Sequence, residues 1–244
     1  MTASDRLDRA LVARGLAPSR ARAQALIAAG AVRVDGAEAR RASAPVGPEA
    51  RLEVAEDPCP WVSRAGLKLA HALDAFGLVP EGEAWDLGAS TGGFTEVLLA
   101  CGAARVQAVE VGRGQLHPRL MADPRVVLHE GLNARDLPAG LSPPDWITAD
   151  LSFIGLEKAL PPALAAARPG AVLVALIKPQ FEAGPEAVGR GGIVRDPEVH
   201  RAVRARLRGF LERSGWEVIG EAESPIEGGD GNREFLVAAR KGAG

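Results

Sequence analysis

Ala84-Trp85-Asp86-Leu87-Gly88-Ala89-Ser90-Thr91-Gly92-Gly93-Phe94 is the stretch that decides how this sequence folds. Glu83–Leu87 is apolar enough for a buried strand, and Phe94–Ala100 carries a helical pattern. Between them stand Gly88, Gly92 and Gly93, which let the backbone turn tightly and approach a ligand without a Cβ in the way. The helix that follows offers unpaired N–H groups at its start to an anionic group.

Strand, glycine-rich turn and helix open a Rossmann-like nucleotide site. Two details set this one apart from a dinucleotide site. The glycines read G-x-x-x-G-G rather than G-x-G-x-x-G, and an acid, Asp86, precedes the first of them. A pyrophosphate would be repelled there, whereas a cationic ligand would be welcome. S-adenosylmethionine fits that inversion, because it carries a sulfonium, an ammonium and a carboxylate but no phosphate. A plain glycine-rich turn in an α/β core would use the same residue types, so the motif alone leaves that alternative open. On this reading Asp86, Gly88, Ala89, Ser90, Gly92, Gly93 and Phe94 form the cofactor loop.

Downstream, Arg105–Val109 reads as a second strand ended by Glu110, 24 residues beyond Asp86. That is close to the ~20-residue offset at which an acid meets ribose hydroxyls in such folds. Val126–His129 reads as a third strand, and the following Gly131-Leu132-Asn133 is placed to wall an adenine. Trp146–Asp150 is a fourth strand, Leu156–Ala167 a helix, and Ala171–Ile177 a buried strand delivering Lys178. Ligands sit at the carboxyl ends of parallel strands, which puts Asp150 and Lys178 in the crevice with Gly88. Gly184–Arg195 is a glycine-rich loop, a candidate gate. Pro197–Arg213 is a long arginine-bearing helix with a solvated basic face, and Trp216–Glu223 with Arg233–Ala239 form a final strand pair. The class is α/β: a Rossmann-like methyltransferase-type sheet, mostly parallel with an antiparallel last strand, behind a small α+β module.

That module spans residues 1–55, with 56–62 as an acidic, proline-bearing linker and 63–244 as the larger domain. Leu7, Ala10 and Leu11 fit a helix ending at Gly15. Ser19 can cap a second helix, which Gly30 closes, and Ala31–Val34 leads into the hairpin turn Asp35-Gly36. From Asp5 to Arg41 there are eight arginines and four acids, a local excess of positive charge suited to phosphate as well as to a solvated surface. In the larger domain, Ser63 can cap a helix whose apolar positions include Leu69, Leu73 and Phe76. Lys68 falls off that stripe, where a solvated lysine is the plain expectation.

The 244 residues carry a formal net charge of −2, so any nucleic-acid partner must be met by local charge. Two cysteines without ligand spacing support neither a disulfide framework nor a metal site. No signal-peptide pattern or membrane-length apolar run is present, which implies a cytoplasmic protein that does not insert into membranes. Of the 29 basic residues only Lys68, Lys158, Lys178 and Lys241 are lysines, so arginine supplies the routine surface charge. A lysine here is more telling, being the cation suited to proton chemistry.

Arg6-Leu7-Asp8, Ser19-Arg20-Ala21-Arg22-Ala23 and Leu26–Gly36 together resemble an S4-like RNA-binding domain. Val62–Leu69, Asp86–Thr95, Ala149–Ile154, Ile177–Glu182 and Gly231–Phe235 are similar to motifs of an FtsJ-type methyltransferase. The combination resembles the TlyA family of ribosomal RNA 2′-O-methyltransferases, some members of which carry the name hemolysin. The resemblance implies S-adenosylmethionine as cofactor and ribosomal RNA or ribosomal subunits as partner, without a metal. It places a catalytic set on Lys68, Asp150, Lys178 and Glu234, and RNA contacts on Arg6, Arg20, Arg22, Arg33 and Arg64. Three positions depart from the pattern: Ala65 for a frequent glycine, Glu110 for an aspartate and Arg113 for an aromatic.

The reaction implied is in-line attack of a ribose 2′-hydroxyl, of cytidine by the resemblance, on the sulfonium methyl, with Lys178 orienting and deprotonating the hydroxyl. Large-subunit rRNA is the expected substrate, with small-subunit rRNA a further one in some members. The rivals are a pore-forming cytolysin, a noncatalytic ribosome-assembly factor that keeps the cofactor site, and a small-molecule methyltransferase, which would leave the N-terminal module without a purpose.

Overall fold

Leu7, Ala10 and Leu11, at helical spacing, form the buried side of the first helix of the computed structural model. The structure describes residues 4–17, 20–28, 30–55 and 59–243, without the side chains of residues 21, 22, 25 and 28. It divides into two units, Met1–Pro60 and Trp61–Gly244. Trp61 and Val62, assigned to a linker by composition, belong to the second unit. The Trp61 side chain occupies the space a Cβ on Gly66 would need, and the Val62 amide donates to Glu96 Oε2 at 2.5 Å.

In the first unit β1 (Asp5–Arg6) leads into α1 (Leu7–Ala13), followed by α2 (Arg20–Ala28). A three-stranded sheet places β2 (Val32–Val34) between β3 (Ala37–Glu38) and β5 (Leu52–Val54), while β4 (Pro45–Val46) pairs with β1. Asp35 and Gly36 have φ of 51° and 82°, the two positive values that a tight hairpin turn demands. Leu7, Leu11, Leu26, Ile27 and Val32 make the core. Ser19, the expected cap, lies outside the described residues. The two-residue strands β1, β3 and β4 leave no readable alternation in the sequence, and only pairing defines them.

The second unit runs α3 (Ala65–Phe76), β6 (Glu83–Leu87), α4 (Gly93–Cys101), β7 (Arg105–Glu110), α5 (Pro118–Met121), β8 (Val126–Glu130), β9 (Trp146–Ala149), α6 (Leu156–Ala159), α7 (Pro161–Ala166), β10 (Val172–Ile177), α8 (Pro179–Glu182), α9 (Pro197–Arg213), β11 (Trp216–Glu223) and β12 (Phe235–Lys241). The seven strands lie in the order β11-β12-β10-β9-β6-β7-β8. β12 is antiparallel to both neighbours, and the strands from β10 through β8 are parallel. The chain leaves β6 toward β7 on one side and returns from β8 to β9 on the other. The crevice therefore opens above the β6 and β9 carboxyl ends. Apolar side chains alternate along β10: Leu173, Ala175 and Ile177 pack with α6, α7 and α9, while Val172, Val174 and Leu176 pack with α3 and α4. Burial on both faces explains the uninterrupted apolar run.

Three expectations change on folding. The helix over 156–167 is two short ones, because Pro161 and Pro162 have no N–H to continue the ladder after Ala159. The N-cap position of α3 falls on Arg64, which makes no side-chain cap bond, one residue after Ser63, whose carbonyl accepts from Gly66 N at 3.0 Å. The basic face of α9 gains partners while staying partly exposed: Arg204 and Arg208, 34% and 45% exposed, grip Glu221 at 2.6 and 2.5 Å, and Arg206, 43% exposed, bridges Glu157 and Glu182. Among the described residues no helix is long and apolar enough to cross a membrane.

Gly88 has φ 83°, and a Cβ there would stand 2.7 Å from the Asp150 carbonyl oxygen. Gly88→Ala is expected to lower stability by about 1–3 kcal/mol, read as a lower urea midpoint with an unchanged slope.

Candidate active site

The loop after β6 is fastened to the end of β7. Gly88 N and Ala89 N both donate to Val109 O, at 2.9 and 3.1 Å, and Ser90 N donates to Glu110 Oε2 at 2.9 Å. Ser90 itself takes a positive φ of 48°. Gly92 caps α4 with no side chain of its own, and a Cβ on Gly93 would strike Ser63 Oγ. Phe94, although buried, reaches the smaller of the two cavities above the loop. Above it lies a cavity of about 720 Å³, within the usual range for small-molecule sites of roughly 300–1,000 Å³. Gly88, Ser90, Glu110, Leu132, Asn133 and Asp150 line it, together with Phe153 and Phe181. A smaller cavity of about 330 Å³ is lined by Ser63, Arg64, Ala65, Ala89 and Lys178, and shares Gly88, Ser90, Asp150 and Ser152 with the first.

Asp86 is placed beneath the loop, fully enclosed, and does not stand on a cavity wall. Thr95 Oγ1 and Thr148 Oγ1 donate to its two oxygens at 2.6 and 2.9 Å. Burial pushes its carboxyl up to about 6, against the two hydroxyls that hold it down, and Asp150 raises it further. The expected place of Asp86 on the wall beside a cationic ligand is thus not what the fold gives: its carboxylate is enclosed beneath the loop and lines neither cavity. Glu110 lines the larger cavity while tying two loops: its Oε1 also accepts from Gly112 N at 2.7 Å.

The four residues of the expected catalytic set form two ion pairs. Lys178 Nζ meets Asp150 Oδ1 at 2.6 Å and donates to Ser152 Oγ at 3.0 Å, on the wall of the smaller cavity. Lys68 Nζ meets Glu234 Oε2 at 2.5 Å, and those two side chains are 10% and 3% exposed. Lys68 is thus a buried, paired cation rather than the solvated lysine its place on the helix suggests. Helical position reports only the packing of the helix's own stripe; Glu234 comes from 166 residues away.

Composition and spacing gave no sign of Phe153, Phe181 or Ser152. Phe153 is 90% exposed with φ 64°, its ring centroid 5.1 Å from that of Phe181. A left-handed phenylalanine displayed to solvent has no sequence signature.

The five arginines assigned to RNA fare differently. Arg6 and Arg20 hold the buried Asp8 at 3.0 and 3.1 Å, with Gln24 adding a third donor. The hydrogen bond from Arg6, helped by Gln24 and Arg20, keeps the Asp8 carboxyl well below the usual range. Both guanidiniums, about half exposed, are oriented rather than neutralised at their outer edges. Arg33 is exposed on β2, in register with Glu38 on one side and Glu53 on the other. The Arg22 side chain lies outside the described residues. Arg64 borders the smaller cavity and donates to Glu227 O at 3.4 Å. Among the described residues no three histidine, cysteine or carboxylate side chains gather as a metal site.

Comparison with known proteins assigns this architecture to a class. The FtsJ-like methyltransferase family matches residues 61–241, and the S4 domain matches residues 5–52. The 16S/23S rRNA (cytidine-2′-O)-methyltransferase TlyA of Mycobacterium tuberculosis is 46% identical, the match covering 96% of this chain and 89% of that protein. The provisionally named rRNA methyltransferase YqxC of Bacillus subtilis is 43% identical over 96% of this chain and 84% of its own. A solved structure with a provisional hemolysin name, from Streptococcus thermophilus, superposes with a TM-score of 0.78 at 37% identity, over 99% of this chain and 90% of that one. The chain belongs to the TlyA family of rRNA 2′-O-methyltransferases.

The Lys68–Glu234 pair sets a stability test. Lys68→Met leaves a buried carboxylate without its cation and is expected to cost about 3–5 kcal/mol. Adding Glu234→Leu should recover most of that loss in urea unfolding, even though neither protein would be expected to work.

Proposed function

We propose that this chain transfers a methyl group from S-adenosylmethionine to the 2′-hydroxyl of a cytidine in ribosomal RNA, on the large subunit and also on the small. The observation that carries the reading is the Lys178–Asp150 pair standing on a cavity wall shared with Gly88 and Ser90. The larger cavity suits the adenosine: Leu132 and Asn133 wall the base, and Glu110 faces the ribose. The smaller one suits the amino-acid end and the incoming ribose, with Arg64 and Lys178 at its edge. Bound there, the sulfonium supplies an electrophilic methyl.

Lys178, as the neutral amine, takes the proton leaving the 2′-hydroxyl, and Asp150 holds the ammonium that results. The hydroxyl oxygen contributes the electron pair of the new O–CH₃ bond, and the pair of the broken C–S bond stays on sulfur. Lys68 and Glu234, which line neither cavity, contribute a fixed, buried ion pair that needs no reorganisation during the step. Phe153, exposed beside Phe181, offers a ring face on which a nucleobase turned out of its stack can lie. Arg6, Arg20 and Arg33 of the S4 unit contribute phosphate contacts, which position without reading sequence. The pore-forming alternative is disfavoured by the FtsJ-like match over nearly the whole second unit.

Two experiments test this. With labelled S-adenosylmethionine and purified subunits, Lys178→Ala should lose methyl transfer by ~10²–10⁴-fold while binding the cofactor as the wild type does; retained turnover would remove Lys178 from this role. The second uses Asp86, whose carboxyl at about 6 lies above its ordinary 3.8. The ionised form is the one that favours a cationic ligand, so affinity should strengthen as pH rises from 5 to 7 and binding at pH 6 should release protons. Calorimetry on Asp86→Asn, the control for titration of the ligand itself, should give weaker binding with that dependence flattened.

A further inference from the structure

Lys178 Nζ has four tetrahedral positions, and the bond to Cε fills one. Ser152 Oγ at 3.0 Å takes a second as a hydrogen-bond acceptor, and Asp150 Oδ1, 2.6 Å away in an ion pair without hydrogen-bond geometry, draws another N–H by its charge. For an ammonium the fourth is simply another N–H. For the neutral amine that the proposed reaction requires, the geometry matters more. If Asp150 alone held the nitrogen, the second N–H and the lone pair could exchange between the two remaining positions. Half of the arrangements would then aim an N–H, not a lone pair, at the incoming hydroxyl.

The geometry points to Ser152 as the residue that settles this choice: its oxygen accepts the second N–H of Lys178 and so aims the amine lone pair at the substrate hydroxyl. Ser152 is suited to this by its place in the chain. It leaves β9 two residues after Asp150, so the same strand end presents both oxygens to Lys178 at the end of the neighbouring β10. It lines both cavities, whereas Lys178 lines only the smaller, which puts the hydroxyl where they meet. Ser152 is exposed and outside the hydrophobic core, so replacing it should leave the fold intact. This is a positioning role, exerted through Lys178, and it rests on the reading of Lys178 as the base.

The test is single-turnover methyl transfer to ribosomal subunits by Ser152→Ala, Ser152→Thr and Lys178→Ala, with S-adenosylmethionine affinity and thermal unfolding measured on each. Ser152→Ala should slow the transfer step by about twofold, the loss expected when half of the arrangements are unproductive, with cofactor affinity and unfolding temperature unchanged. Ser152→Thr, which keeps the hydroxyl, should restore most of the rate. Wild-type turnover by Ser152→Ala beside an inactive Lys178→Ala would overturn the role of Ser152 and leave the base in place. Equal slowing in the alanine and threonine variants, or a loss confined to cofactor affinity, would also overturn it. An active Lys178→Ala would instead remove the reading on which the inference stands.

Discussion

The close approach of Gly88 to the Asp150 carbonyl is the constraint on which the second unit turns. At this point the chain leaves β6 on one side and β9 on the other, and a Cβ would leave only 2.7 Å between them. A parallel sheet can hold two neighbouring strands in register only if their exits diverge, and here they diverge around a glycine with positive φ. Opening the backbone at that point creates the cavity. The same exit carries Asp150 and Ser152 toward Lys178 on the next strand, so the glycine-rich loop and the Lys178–Asp150 pair are products of one junction.

Charge inside the unit follows a consistent rule. Buried ions are matched by a partner or by hydroxyl donors, as Lys68 is by Glu234 and Asp86 by Thr95 and Thr148. Asp86 is the unbalanced member, since hydroxyl dipoles do not replace a full positive charge, and its carboxyl is raised accordingly. A site that keeps a partly uncompensated acid under its loop is prepared for a cation. On the opposite side of the sheet, α9 directs Arg204, Arg206 and Arg208 to Glu221, Glu157 and Glu182, and all three guanidiniums stay partly exposed.

Much of the site was legible because its parts sit at strand ends, where hydrophobic runs stop and chemistry-bearing residues follow at once. Gly88 after Leu87, Asp150 after Ala149 and Lys178 after Ile177 could all be placed by that rule. Glu234 and Lys68 could be placed only by family likeness, because nothing local in a helix lysine or a pre-strand glutamate says that they meet. Ser152 and Phe153 were legible only as members of the Ala149–Ile154 motif, with nothing to suggest a part for either. Their roles depend on a turn with positive φ at Phe153 and on a hydroxyl that matters only beside another strand's lysine.

The sequence by itself determined the layer architecture, since strand and helix periods and the turn glycines are local properties of the chain. It also determined which residue types stand at the crevice. Tertiary structure alone decided which cation pairs with which carboxylate, that Asp86 lies beneath its loop rather than on the wall, and that Lys68 is buried. Those outcomes depend on distances between segments as many as 166 residues apart and on the loss of solvent around them, and neither quantity is encoded at any single position.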